Sequence, residues 1–154
     1  MQRKSTFTSQ HINNQVVNCS AISHALTDHV LLGTNHGQIV RASRYTDDTM
    51  LPPVYDHPFA DTIASVRSVA FSPATAANFL AGYSDGGLAL FTIEDAHPSQ
   101  LWDAGDTTIS EIVAVSWDNQ RPSIFAVLDT TSSLFLWDLA SSAHAPLFTF
   151  SLAK

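Results

Sequence analysis

Val66-Arg-Ser-Val-Ala-Phe-Ser-Pro73 and Ile112-Val-Ala-Val-Ser-Trp-Asp-Asn119 are two versions of one segment. Val69 falls on Val115 and Phe71 on Trp117, a spacing of 46 in both cases. The same spacing continues without a gap: Phe79 falls on Phe125, Leu88 on Leu134, Leu90 on Leu136 and Phe91 on Trp137. An earlier copy lies 49 residues upstream, where Val17 matches Val66, Ile22 matches Phe71 and Val30-Leu-Leu-Gly33 matches Phe79-Leu-Ala-Gly82. Gly37 likewise matches Gly86. Three copies at this spacing indicate a repeat architecture, and a period in the forties is shared by propeller blades and by helical HEAT or armadillo units.

Residue types decide between them. Each copy holds short apolar runs separated by turn residues; in the middle copy these are Val66–Phe71, Phe79–Tyr83 and Leu88–Ile93. Ser84-Asp-Gly-Gly87 links the last two, and Asp-Gly between apolar runs is a strong hairpin signal. Asn35-His-Gly37 and Thr130-Thr-Ser-Ser133 take that place in the other copies. A fourth strand is expected near Val54-Tyr55, Leu101-Trp102 and Leu147–Phe150, where Pro52-Pro53 and Pro98 oppose helix. Leu88, Leu90 and Ala89, Phe91, Ile93 point to opposite sides of one strand, yet all are apolar. A strand buried on both faces reads this way, as blades stacked face to face require. A two-layer sandwich would show polar outer faces, and little such alternation is present. The expected fold is all-β, about three four-stranded propeller blades in an incomplete ring: a polar segment over 1–15, then blades over 16–58, 59–105 and 106–154.

Composition bounds the function. Hydrophobic residues make up 45% of the 154 and charged residues 14%, enough apolar surface for a core. The formal charge of −7 disfavours binding to phosphate backbones and to anionic membrane surfaces. No apolar run reaches the length of a membrane span, so membrane insertion is not expected. Cys19 is the single cysteine, allows no internal disulfide and is expected to be buried and unreactive.

Catalytic and metal readings are weaker than structural ones. Gly82-Tyr-Ser-Asp-Gly86 has the form Gly-x-Ser-x-Gly, but that motif works on a turn that leads from a strand into a helix. Here the following run, Leu88–Ile93, is strand-like, so Ser84 reads as a hairpin residue. A serine hydrolase using Ser84 is the most distant alternative. Seven histidines include His24, His29 and His36, without a His-x-His or Cys-x-x-Cys pair, and no phosphate-binding loop is present. Neither a catalytic residue, a metal nor a cofactor is expected.

Leu134-Phe-Leu-Trp-Asp-Leu139 resembles the Trp-Asp ending of WD repeats, and Asp85 stands where such repeats usually carry a hairpin aspartate. The match is partial. No Gly-His pair opens a blade, Trp137 becomes Phe91 and Ala42 in the other copies, and Asp85 becomes Thr131 in the third. The polar network that often links blades of that family is therefore expected to be absent. Phe71, Gly82, Phe91, Trp117, Trp137 and Asp138 are the expected structural repeat positions.

A narrower resemblance covers residues from about 66 to 139. The order Trp117, Arg121-Pro122, Phe125-Ala-Val-Leu-Asp129 and Trp137-Asp-Leu139 is similar to dynein intermediate chains, most of all to those of cytoplasmic dynein 2. Val30-Leu-Leu-Gly-Thr-Asn-His-Gly37 resembles another blade of that family. The resemblance implies a non-catalytic scaffold of the motor that drives retrograde intraflagellar transport, located in the cytoplasm and cilium. Its implied partners are the dynein heavy chain, on whose tail the propeller docks, and other intermediate and light chains. Light chains of the family bind a disordered segment upstream of the propeller, so that contact is not carried over to the blades. The family propeller has about twice as many blades, so further blades are expected in the same polypeptide or from a partner subunit. A WD adaptor of a coat, chromatin or ubiquitin-ligase assembly is the alternative. Partner contacts are expected on the hairpin turns at His36, Ser84, Asp85, Thr130 and Thr131, because loops on a rigid scaffold carry recognition.

Overall fold

The structure, a computed structural model, describes residues 15–23, 29–43, 51–58, 63–103 and 108–152. Most of the polar segment 1–15, and His24, lie outside these residues. Twelve strands follow in order, with no helix among the described residues. Blade 1 comprises β1 (Val17–Ile22), β2 (His29–Thr34), β3 (Ile39–Ser43) and β4 (Val54–Tyr55). Blade 2 comprises β5 (Val66–Phe71), β6 (Asn78–Tyr83), β7 (Leu88–Thr92) and β8 (Gln100–Trp102). Blade 3 comprises β9 (Ile112–Trp117), β10 (Ile124–Asp129), β11 (Ser133–Asp138) and β12 (Phe148–Ser151). Each blade is an antiparallel meander in which sequence order is spatial order.

Register repeats as the sequence does. Phe79 pairs with Phe91 across β6 and β7, and Phe125 pairs with Trp137 across β10 and β11. Each first strand carries a bulge at its start, at Val17/Cys19, at Val66/Ser68 and where Ile112 meets Asp129. A bulge bends and twists a strand locally. β5 touches β1 on one side and β9 on the other, so the first strands lie side by side along the inner edge of the array. No strand of blade 3 pairs with blade 1, and the three blades form an open arc.

Two cores fill the joints between blades. Leu31, Ile39 and Tyr55 of blade 1 pack with Val66, Phe79, Ala81, Tyr83 and Phe91 of blade 2. Leu80, Leu88 and Trp102 of blade 2 pack with Ile112, Phe125, Val127 and Trp137 of blade 3. Blade 2 is therefore covered on both faces, which is why β6 and β7 are apolar at nearly every position.

A close approach of backbones sets these joints. A side chain at Gly33 would meet Val66 at 2.6 Å, and one at Gly82 would meet Ile112 at 2.6 Å. The first strand of each following blade thus seats on a glycine of the blade before it. Gly37 and Gly86, at φ 81° and 87°, sit on carbonyl oxygens of the incoming chain, Ala64 in one joint and Ile109 in the other. Glycine meets both demands, having no Cβ and free access to positive φ.

Candidate functional site at the hairpin rim

The hairpin joining second and third strands is the same device three times over. Its first residue ties back to the residue that precedes the first strand. The Asn35 N–H donates to the Val16 carbonyl at 2.9 Å, Ser84 to Ser65 at 2.9 Å and Thr130 to Glu111 at 2.9 Å. In two blades the bond is returned: Val16 N–H donates to Asn35 Oδ1 and Ser65 N–H to Ser84 Oγ, both at 2.9 Å. Ser65 Oγ also donates to the Asn35 carbonyl at 3.1 Å, stitching blade 2 to the rim of blade 1.

This assigns Ser84. It lies in a hairpin turn between two strands, and its oxygen accepts a backbone N–H. No helix start lies behind it to present the hydroxyl as a nucleophile. Asp85 accepts the Gly87 N–H at 2.8 Å, an Asx turn, and lies 3.9 Å from His57 of blade 1. Ser84 and Asp85 are both half-buried, whereas His36, Thr130 and Thr131 are exposed. All five sequence-predicted rim residues fall in the equivalent hairpins, which the stacked blades bring to one edge of the arc.

Asp129, the last residue of the Phe125–Asp129 motif, is a rim residue outside the five predicted from the sequence. It aligns with Tyr83 rather than with Asp85, so the repeat gave no reason to single it out. Its carboxylate accepts from Thr131 N–H, Thr131 Oγ1, Ser133 N–H and Ser110 N–H. Burial alone would raise its pKa, but these bonds together outweigh it and hold the carboxyl below the usual range. They also stabilise Ser132 at φ 62°.

The structural repeat positions are spread over buried strand centres, strand ends, a joint and a turn. Phe91 and Trp137 are fully buried at equivalent sites, and Gly82 lies at the second joint. Phe71 and Trp117 end their first strands half-buried against the two cores. Asp138 accepts from Ser123 Oγ at 2.8 Å and from Ala140 N–H at 3.0 Å, closing the turn after β11.

Trp137 Nε1 has no hydrogen-bond partner, so no bond from its indole takes part in a network between blades. Other residues make polar links between the blades. Tyr55 OH donates to the Ile93 carbonyl at 2.5 Å, and Trp117 Nε1 to the Ala70 carbonyl at 3.0 Å. Ser68 Oγ accepts from Val115 N–H at 3.1 Å, and Arg67 pairs with Glu111. Burial pushes the Tyr55 hydroxyl up to about 12, against the opposing pull of Arg41, so it stays protonated and donating.

Cys19 is half-buried against the first joint, where burial pushes its thiol up, the reverse of what a reactive thiolate needs. Among the described residues no cluster of three His, Cys, Asp or Glu side chains is placed to hold a metal ion, and no helix is long and apolar enough to cross a membrane.

Three four-stranded meanders, stacked through apolar faces with their hairpins on one edge, define a segment of a WD-type β-propeller. The chain is similar to dynein intermediate chains over most of its own length. It is 33% identical to cytoplasmic dynein 2 intermediate chain 1 of Homo sapiens over 122 residues, which are 78% of this chain and 11% of that protein. To the protein of the same name in Mus musculus it is 29% identical over 122 residues, 78% of this chain and 12% of that one. The chain thus spans about a tenth of the length of these relatives. No family model matches the sequence.

Proposed function

We propose that this chain is a non-catalytic propeller segment of a dynein intermediate chain that holds a dynein heavy chain for microtubule-based transport. The observation that carries the reading is similarity to cytoplasmic dynein 2 intermediate chain 1, at 29–33% identity over 78% of this chain. The geometry is in keeping with it: apolar side chains fill the joints, and the one serine in a nucleophile-like motif is engaged in a turn. The transport is retrograde movement within cilia, and the chain works in the cytoplasm and cilium beside other intermediate and light chains of the motor. Further blades, in the same polypeptide or on a partner, complete the ring, since propellers close with 4–8 blades.

In this reading the heavy-chain contact lies on the hairpin rim, where His36, Thr130 and Thr131 offer exposed polar groups and Ser84 and Asp85 fix the turn beneath. The test is capture of a purified dynein 2 heavy-chain tail by the immobilised chain. Saturable binding is expected, and weakening of about tenfold or more by combined His36→Ala, Thr130→Ala and Thr131→Ala substitution, with folding unchanged. Binding unaffected by these changes rejects the rim as the surface. Absence of binding, with capture by a coat, chromatin or ligase subunit instead, rejects the motor reading.

A further inference from the structure

A third repeated device involves the fourth strands. Tyr55 on β4 pairs with Ile39, Trp102 on β8 with Leu88 and Phe150 on β12 with Leu134, so the three aromatics occupy one register position. Tyr55 inserts edge-on against Phe79 and Phe91 of blade 2, at centroid distances of 5.0 and 5.7 Å. Trp102 does the same against Phe125 and Trp137 of blade 3, at 5.8 and 6.2 Å. Tyr55 is fully buried and Trp102 3% exposed, but Phe150 is 50% exposed. Each joint is an aromatic knob of one blade on a stacked ring pair of the next, and Phe150 is a knob without a ring pair.

The rest of that face is built for cover. Leu128, Leu134 and Leu136 are half-buried, and Phe148 and Leu152 flank Phe150 with 54% and 63% exposure. None of these positions carries a charge. Yet the face differs from the two joints at two sites. Leu128 stands in the register position of Gly33 and Gly82, and Ser132 in that of Gly37 and Gly86. A valine or isoleucine Cγ fills the space above Gly33 and Gly82, and above Leu128 that space holds the leucine. The three blades of this sequence carry Val17, Val66 and Ile112 at the strand position concerned, so none of them seats there in the manner of the joints.

We propose that the outer face of blade 3 docks a WD-type blade that is not one of the three in this sequence. That partner blade carries glycine or alanine where Val66 and Ile112 stand, opposite Leu128, and an apolar pair that receives Phe150. The face continues the chemistry of two established joints, and Leu128 with Ser132 acts as a selectivity element that rejects a second copy of this chain. This inference deepens the propeller reading and rests on it, but it needs no heavy chain, so either can fail alone.

The test places a blade beside the face. The full chain is extended after Lys154 by a linker and a second copy of residues 63–103, and amide exchange is followed on β11 and β12. The unaltered copy is expected to leave exchange as in the chain alone. A copy carrying Val66→Gly slows it by roughly tenfold or more, as burial under a docked blade does. Phe150→Ala in the host removes that protection, and Leu128→Gly in the host lets the unaltered copy protect. Equal protection by both copies overturns the selectivity of Leu128. Lack of protection by the Val66→Gly copy overturns the blade-docking assignment, and because its host is unchanged, a misfolded host cannot explain that result. A chain that already sediments as a dimer with β12 protected assigns the face to a second copy and overturns the proposal.

Discussion

Phe125 lies parallel to Trp137, with ring centroids 5.5 Å apart and planes within 7°, and 46 residues earlier Phe79 lies against Phe91 in the same way, at 5.1 Å and 9°. Both stacks join the second and third strands of a blade, and both receive the fourth-strand aromatic of the preceding blade. Blade 1 has Val30 and Ala42 at the equivalent pair. In both described joints the stack takes part in the contact between blades as well as in the pairing within one.

Trp137→Ala should therefore destabilise strongly, by about 3–5 kcal/mol, because Trp137 is fully buried and the neighbouring rings cannot close the hole. Trp137→Phe should cost far less, about 1.5 kcal/mol or below, since Phe91 shows that a phenyl ring serves the equivalent place in the other joint. Urea unfolding followed by circular dichroism gives both numbers. Equal losses for the two variants would refute the equivalence of the stacks.

The sequence made one layer of this legible. Val69 on Val115 and Phe91 on Trp137 keep a constant spacing because strands one to three and their hairpins have the same length in blades 2 and 3. The fourth strands were legible, but the equivalence of their aromatics was not, for the opposite reason. Tyr55 to Trp102 is 47 residues and Trp102 to Phe150 is 48, because the connections to the fourth strands vary in length. An ungapped comparison does not superpose them, and only strand pairing shows that they match. Asp129 was legible as the end of a motif but not as a turn anchor, because one blade uses an aspartate at the end of β10 where the middle blade uses one in the turn. The hairpin rim was legible as a set of turns, but which of its side chains are engaged by backbone depends on the blade beside them.

The glycine joints give a second expectation. Gly82→Ala places a methyl group 2.6 Å from Ile112 Cγ2, closer than packed atoms tolerate, and should cost about 1–3 kcal/mol. Ile112→Ala on the same background should restore part of that loss, because it removes the atom that clashes. A double-mutant cycle by thermal unfolding measures the coupling. Additive losses would show that Gly82 is needed for its backbone alone.

Ser84→Ala removes one acceptor for the Ser65 N–H in a half-buried turn while the return bond from Ser84 N–H to the Ser65 carbonyl stays. The expected loss is about 1 kcal/mol or less. A fluorophosphonate probe should leave Ser84 unlabelled in the native chain. Stoichiometric labelling that disappears in the alanine variant would overturn the hairpin reading and revive the hydrolase.

Asp129 should make stability depend on pH. Its carboxyl is held below the usual range by hydrogen bonds from Thr131, Ser133 and Ser110, which outweigh the opposing effect of burial. A folded-state pKa below that of the unfolded chain means that the contribution is fully present above the unfolded value, roughly pH 4, and is lost as pH falls through the folded one. Urea midpoints should therefore decline from about pH 5 downward. Asp129→Asn should flatten part of that decline, because it removes the titrating group while keeping its size. The variant should also be less stable at neutral pH by about 1–3 kcal/mol, since its amide replaces a carboxylate oxygen that partly buried N–H groups use as an acceptor. Asp138 is depressed too, by Ser123, Ala140 and Ser141, so some acid sensitivity should survive in the Asp129→Asn chain and shrink further in an Asp129→Asn, Asp138→Asn double variant. Midpoints measured at half-unit steps from pH 7 to pH 2 separate the two. An acid limb as steep in Asp129→Asn as in the parent chain would show that Ser132 and its hairpin do not depend on the Asp129 charge.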